Sequence, residues 1–351
     1  MVRESLIPWH RRLALTFAAL LLVQVLTGVM LVFREEFSAL GLPRANEARP
    51  ISMLAVENAV RSAYPSFRLE AAQFPSPITR DYVLKLHDSS HKLLLVAVDP
   101  TDSSTHELGS IASVLEGLRV FHEDLWLGQS GRAALCLEAI CLLFLAISGL
   151  ILWWPRRTAI FKSMRLPTRG PARTVLFWWH RTLGSILAFL IIPSAVTGSI
   201  LAVGGFLPSW TPNVTPPRQR APTDDDRVAV ARALFQTLSV REVRFDAASG
   251  GIKRIVLREP GVGLRAPITD INFNPATGSI ESIVAAQHLK GYDRVWAWGF
   301  PIHSAQVGGY CLRALLVATG VVAAGVATLG VGLWWERRPR SAQLASLRSR
   351  G

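Results

Sequence analysis

The chain has 351 residues, half of them hydrophobic and only 18% charged, with a formal net charge of +13 and a mean hydropathy of +0.30. Such a balance excludes an ordinary soluble globular protein and points to the membrane. Cys136, Cys141 and Cys311 all fall in or at apolar runs, which excludes a disulfide framework elsewhere and makes them small apolar fillers.

Apolar runs at 13 to 33, 133 to 154, 182 to 206 and 314 to 335 are each long enough for ~30 Å of hydrocarbon at ~1.5 Å per residue, and predict four transmembrane helices. The first is too long for a signal-peptide core and is followed by no small-x-small cleavage site, so it reads as an uncleaved anchor. The excess of positive charge would suit nucleic acid, but its placement specifies topology and implies no nucleic-acid partner. Arg11 and Arg12 precede the first run, Arg156, Arg157, Lys162, Arg165, Arg169 and Arg173 fill the loop after the second, and Arg337, Arg338 and Arg340 follow the fourth. The positive-inside rule then places both termini and the central loop in the cytoplasm.

Between the spans, "ISMLAVENAVRSAY" predicts a helix, followed by strands at "YVLKLH" and "KLLLVAVD" and the turn "DPTDSS". After the Pro-rich linker "LPSWTPNVTPPRQRAPTDDD" the order recurs: a helix at "DRVAVARALFQTL", strands around "REVRF", "KRIVLRE" and "ITDINFN", and the turn "NPATGS". The chain thus divides into helix one over 1–34, an external α+β module over 35–115, helix two over 116–155, a basic loop over 156–175, helix three over 176–206, linker and second module over 207–293, helix four over 294–336 and a basic tail over 337–351. Pro193 predicts a kink in helix three, and Gln24 and Glu138 are polar residues expected to face the bundle interior.

An internal duplication organises these elements. A shift of 170 residues lays His10 on His180, Arg11 on Arg181 and Thr27-Gly28 on Thr197-Gly198; a shift of 181 lays His122 on His303, Arg132 on Arg313 and Gly149 on Gly330. The fold class expected is an α-helical membrane protein with four transmembrane helices from an internal duplication (2 + 2), carrying two external α+β modules. Four of the eight histidines occupy duplicated positions at membrane boundaries, and parallel repeats related by an axis along the membrane normal bring equivalent residues face to face. Two histidine pairs, His10 with His180 and His122 with His303, would give two b-type haems their axial nitrogens, one near each membrane face. Arg132 and Arg313 are candidates for neutralising propionates. The competing reading makes these histidines interfacial anchors beside Trp9, Trp153, Trp154, Trp178 and Trp179, and the glycines mere packing residues.

The motifs "WHR" and "WHRTLG" opening helices one and three, the late "TG" of each, "FHEDLWLGQSG" before helix two and "SGLILWWPRR" closing it resemble the PepSY-associated transmembrane family, and "VDPTDSSTHELG" and "FNPATGSIESI" resemble closing turns of PepSY modules. The resemblance covers nearly the whole chain and implies two PepSY-like periplasmic modules on a bacterial inner-membrane, haem-dependent reductase. Such a protein would pass electrons from a separate cytoplasmic flavin or NAD(P)H-linked donor to a ferric siderophore. The second-half sequence "IHSAQVGG" lacks the acidic and leucine positions of "FHEDLWLG". Trp126, Arg294, Trp296 and Trp298, next to the outer histidines, are candidates for contacting an anionic, aromatic-bearing chelate. Two other readings stay open: a haem-free scaffold that binds envelope peptidases or senses a ligand, and a transporter of a chelate or haem.

Overall fold

The computed structural model describes residues 2–40, 42–43, 51–155, 159–204, 206, 214–217, 220–260 and 267–336. The basic tail, part of the Pro-rich linker (207–213 and 218–219) and the arginines at 156 and 157 lie outside the described residues. In chain order the elements are α1 (Val2–Leu31), α2 (Arg34–Ser38), α3 (Met53–Ala63), β1 (Arg68–Gln73), β2 (Tyr82–His87), β3 (Leu93–Val98), β4 (Thr105–Glu107), α4 (Ser110–Asp124), α5 (Gln129–Trp153), α6 (Ile160–Ser163) and α7 (Ala172–Gly204). They continue with α8 (Asp224–Leu234), β5 (Ser239–Phe245), β6 (Ile252–Arg258), β7 (Thr269–Phe273), β8 (Ile280–Val284), α9 (Gly291–His303) and α10 (Gly309–Trp335). Two compact units result: one formed by Met1–Val29, Leu127–Val203 and Leu315–Gly351, the other by Met30–Trp126 and Gly204–Ala314.

The first unit holds helices long and apolar enough to cross a membrane, within Arg3–Leu31, Gln129–Trp153, Ala172–Gly204 and Gln306–Trp335. Its interior is built from small and medium side chains: Ala146 of α5 meets Leu187, Ala188 and Ile191 of α7, with Val322 and Val326 of α10 against them. Ile140, Ile147, Phe189 and Val321 are left exposed, which costs a soluble protein dearly and a lipid-solvated one nothing. At Gly320 a Cβ would come within 2.3 Å of Val29, so the missing side chain sets how closely α10 approaches α1. The helix α7 runs on through Pro193, and Thr197 Oγ1 donates to the Pro193 carbonyl at 2.8 Å.

The second unit is a single eight-stranded antiparallel sheet in the order β4-β3-β2-β1-β5-β6-β7-β8. Each α+β module supplies a helix and a four-stranded meander, and the two are fused where Ala71, Ala72 and Gln73 of β1 pair with Arg244, Val243 and Glu242 of β5. Ser52 caps α3 by accepting from Ala55 N, and Thr223 and Asp226 form a reciprocal capping box on α8. Both helices cover one face, where Met53, Val56, Tyr82 and Leu84 of the first module and Val228, Ala231, Ile255 and Ile271 of the second form one core. Burying each large apolar side chain contributes about 1.5–3 kcal/mol. On the opposite face Lys85 reaches Glu116 of α4 at 3.2 Å. The two Pro-containing turns close alike: Asp99 Oδ1 accepts from Thr101 N at 2.8 Å, and Asn274 Oδ1 accepts from Ala276 N at 3.1 Å.

The segment 116–155, expected as one helix, is two. Leu125 and Trp126 take the left-handed conformation (φ 55° and 58°), ending α4 ahead of α5. Ala305 (φ 56°) and Gly309 (φ 60°) similarly separate α9 from α10 inside the expected span 294–336. Consequently His122 and His303 lie on amphipathic helices that precede the spans.

Where α3 packs on α8, Glu57 lies beside Asp224, with Asp225 accepting from Met53 N at 2.6 Å. Burial first, then Asp224, push the Glu57 carboxyl up to about 7, and Arg61 only partly opposes them. A pKa raised on folding gives stabilisation that is complete below the unfolded value and lost as pH rises through about 7. The thermal midpoint of the native protein should therefore fall between pH 5.5 and 8.5, whereas Glu57→Gln should flatten that dependence. Parallel pH profiles for the two proteins would show the carboxyl is not responsible.

Candidate functional site

His10 of α1 and His180 of α7 face each other with ring centroids 6.4 Å apart and planes at 83°. Their hydrogen bonds fix which nitrogen carries the proton. His180 Nδ1 lies 3.0 Å from the Val326 carbonyl, which can only accept, so Nδ1 is protonated and Nε2 keeps its lone pair. His10 Nδ1 lies 2.8 Å from Ser148 Oγ, and that hydroxyl donates onward to the Leu145 carbonyl at 3.3 Å, so its oxygen accepts from His10. Leu145 and Val326 are equivalent under the 181-residue shift, as are Ser148 and Leu329. Both imidazoles are thus oriented by the same carbonyl position, directly in one case and through a serine in the other.

Glycine makes room for each ring. A Cβ on Gly149 would sit 3.4 Å from His10 Cε1, and one on Gly330 would sit 3.2 Å from His180 Cε1. Even alanine at Gly330 would make the His180 ring give way by a few tenths of an ångström, whereas at Gly149 only a residue larger than alanine would press on His10. Gly149 and Gly330 are therefore contact positions for the histidines themselves.

The second pair lies in the other unit. His122 in the last turn of α4 and His303 at the end of α9 have ring centroids 6.4 Å apart and planes tilted by 39°. Two imidazoles on opposite sides of one metal, each bonded at about 2 Å, place their ring centres roughly 6 Å apart. Both pairs have that separation. Among the described residues no group of three or more His, Cys, Asp or Glu could hold a metal ion. A pair of histidines is too few for a protein-only metal site, but suits a haem, which brings four nitrogens and takes two from the protein.

The remaining candidates separate. Arg313, expected at a propionate, is buried and already engaged: Nε donates to the Val32 carbonyl at 3.1 Å, Nη2 to Glu36 Oε2 at 2.7 Å and Nη1 to Glu36 Oε1 at 2.5 Å, while the guanidinium stacks 4.3 Å from the Phe33 ring centre. It is a structural staple, corrected from a cofactor role because its donors are spent inside the protein. Arg132, its match at the 181-residue shift, is half-buried in the first turn of α5. Trp126 is exposed, meeting Phe121 edge-to-face with ring centres 4.9 Å apart, and its Nε1 donates to the Gly117 carbonyl. Arg294 is exposed and Trp298 half-buried. Trp296 is half-buried, its indole filling the space beside Gly204, where a Cβ would come 1.6 Å from Nε1. Ser148 was legible only as one polar residue in an apolar run, and nothing local marked Glu36.

Four membrane-length apolar helices, a fused α+β sheet and two opposed histidine pairs define a multi-pass membrane protein with imidazoles facing each other in twos. No protein of curated function matches the chain. A family model does: the chain belongs to the family described as the PepSY-associated TM region, matched over residues 7–337.

Proposed function

We propose that this protein is a di-haem reductase of the bacterial inner membrane, which takes electrons from a separate cytoplasmic donor and reduces a ferric siderophore in the periplasm. The observation that carries the proposal is the matched 6.4 Å spacing of two histidine pairs. On this reading the two halves are an internal duplication, the termini and basic loop are cytoplasmic, and the sheet is periplasmic. Alternation of four spans then puts His10 and His180 near the inner face and His122 and His303 near the outer one.

Bound haem would supply one-electron redox chemistry at each pair. The chain's own residues do the rest. Nε2 of His10 and His180 offers the lone pair, while Val326 and Ser148 hold Nδ1 and with it the ring orientation. Exposed Trp126 and Arg294 are available to an anionic aromatic chelate near the outer pair. One electron converts the substrate from ferric to ferrous iron, a softer ion that hard oxygen donors hold less tightly, so the metal leaves and the chelator survives.

The test is a dithionite-reduced minus oxidised absorption spectrum of the full chain purified after expression with ample haem supply. A b-type, six-coordinate bis-imidazole spectrum at about two haems per chain is expected. A colourless protein, as the peptidase-binding scaffold requires, would overturn the reading.

A further inference from the structure

On the sheet face opposite α3 and α8, the residues just after α1 meet β5 and β6 in a cluster where arginines outnumber carboxylates. Glu35 of α2 lies in the field of Arg241, Arg34, Arg258 and Arg313 together. It pairs directly with Arg241 at 2.5 Å, and Glu36 is taken by Arg313. Four guanidiniums therefore face two carboxylates. Glu116, the other acid near Arg34, is held by Arg119 at 2.7 Å and Lys85 at 3.2 Å.

Two of these arginines stand out. Arg258 is only 8% exposed, yet its guanidinium makes no hydrogen bond or ion pair among the described residues. Half-buried Arg34 likewise has none. Burial and a neighbouring guanidinium lower the proton affinity of both, the direction expected of cations without sufficient counter-charge. A buried, unpaired guanidinium costs several kcal/mol, and five donors held in a planar fork suit an oxyanion.

We propose that Arg34, Arg241 and Arg258 form a binding site for a phosphate group. Arg34 follows Leu31, the last residue of an apolar span, by three positions, the depth at which phospholipid headgroups carry their phosphates. A soluble phosphate offers the same chemistry. The site is independent of any cofactor at the histidine pairs.

Thermal unfolding of the full chain in detergent tests the site with three probes: inorganic phosphate, a short-chain phosphatidylglycerol and the matching phosphatidylcholine. Phosphatidylglycerol is expected to raise the midpoint of the native protein by a few degrees, about the shift that saturating a native-state site produces in a chain of this size. Arg258→Gln should unfold no earlier than the native protein without a probe, since it removes a buried charge whose desolvation and repulsion by Arg241 outweigh the attraction of Glu35, and should lose the phosphatidylglycerol response. A response to phosphatidylglycerol alone assigns the site to lipid; an equal response to inorganic phosphate assigns it to a soluble ligand. Should Arg258→Gln fail to fold, Arg34→Gln, which has no hydrogen bond to lose, replaces it. No response in the native protein, or the same response in native and variant, overturns the site.

Discussion

If the protein is a di-haem reductase, alanine at His180 is expected to remove about half of the b-type haem absorbance from the purified protein, and alanine at His10 the same half, because the two facing rings would then serve one haem. Combining the two changes should cost no more than either alone, since the second removes a ligand from an already broken site. His122→Ala and His303→Ala should remove the other half, and a variant carrying one change from each pair should be colourless. Residues beside the rings should act more weakly. Ser148→Ala deprives His10 Nδ1 of its acceptor but keeps the nitrogen donor, so haem should remain bound about 10-fold more weakly. Gly330→Val should behave more like a ligand loss, because its Cβ alone would sit 3.2 Å from His180 Cε1 and two further methyls must displace the imidazole. If the histidines are only interfacial anchors, absorbance will not follow this pairing. Unchanged haem content in all four alanine variants would end the assignment.

How far the sequence foretells this arrangement depends on whether a feature is written locally. The spans, the module helices and the Asp99 and Asn274 turns are local patterns, and the structure places them close to where the pattern does. The histidine pairs are not local, but the likeness of the two halves of the sequence makes them legible: equivalence at a fixed shift substitutes for contact information. Fusion of the modules into one sheet carries no such mark. Ala71–Gln73 and Glu242–Arg244 are joined by no turn, and nothing in either strand names its partner. The break between α4 and α5 is hidden for a different reason. "LWLG" reads as continuing apolar sequence, whereas Leu125 and Trp126 adopt positive φ, a conformation that β-branched and bulky residues rarely take and local propensity does not foresee. The same likeness misleads at Arg313, where its match to Arg132 suggests a shared role but Glu36 has claimed the side chain.

Arg313→Met is expected to destabilise the protein by about 3–5 kcal/mol, the cost of breaking a buried ion pair by removing one partner. Leu31 ends α1, and the Val32 carbonyl just beyond it lies where a helix leaves carbonyls without intrahelical donors. Arg313 supplies two donors to that carbonyl, two more to Glu36, and its flat face to Phe33 and Tyr310. Methionine preserves part of the packing and none of the hydrogen bonding. It leaves the Glu36 carboxylate, already half-buried, among Glu35 and the remaining arginines without its own counter-ion. Lysine should recover part of the loss, since one ammonium restores the charge but not the two-pronged geometry. Combining Arg313→Met with Glu36→Met should cost less than Arg313→Met alone, because removing both charges avoids stranding either, and the Val32 carbonyl is then the main group left unserved. Unfolding midpoints of the two single variants and the double variant measure this coupling directly. An Arg313→Met protein within about 0.5 kcal/mol of the native one, the range of an ordinary surface change, would mean that the staple contributes nothing to stability.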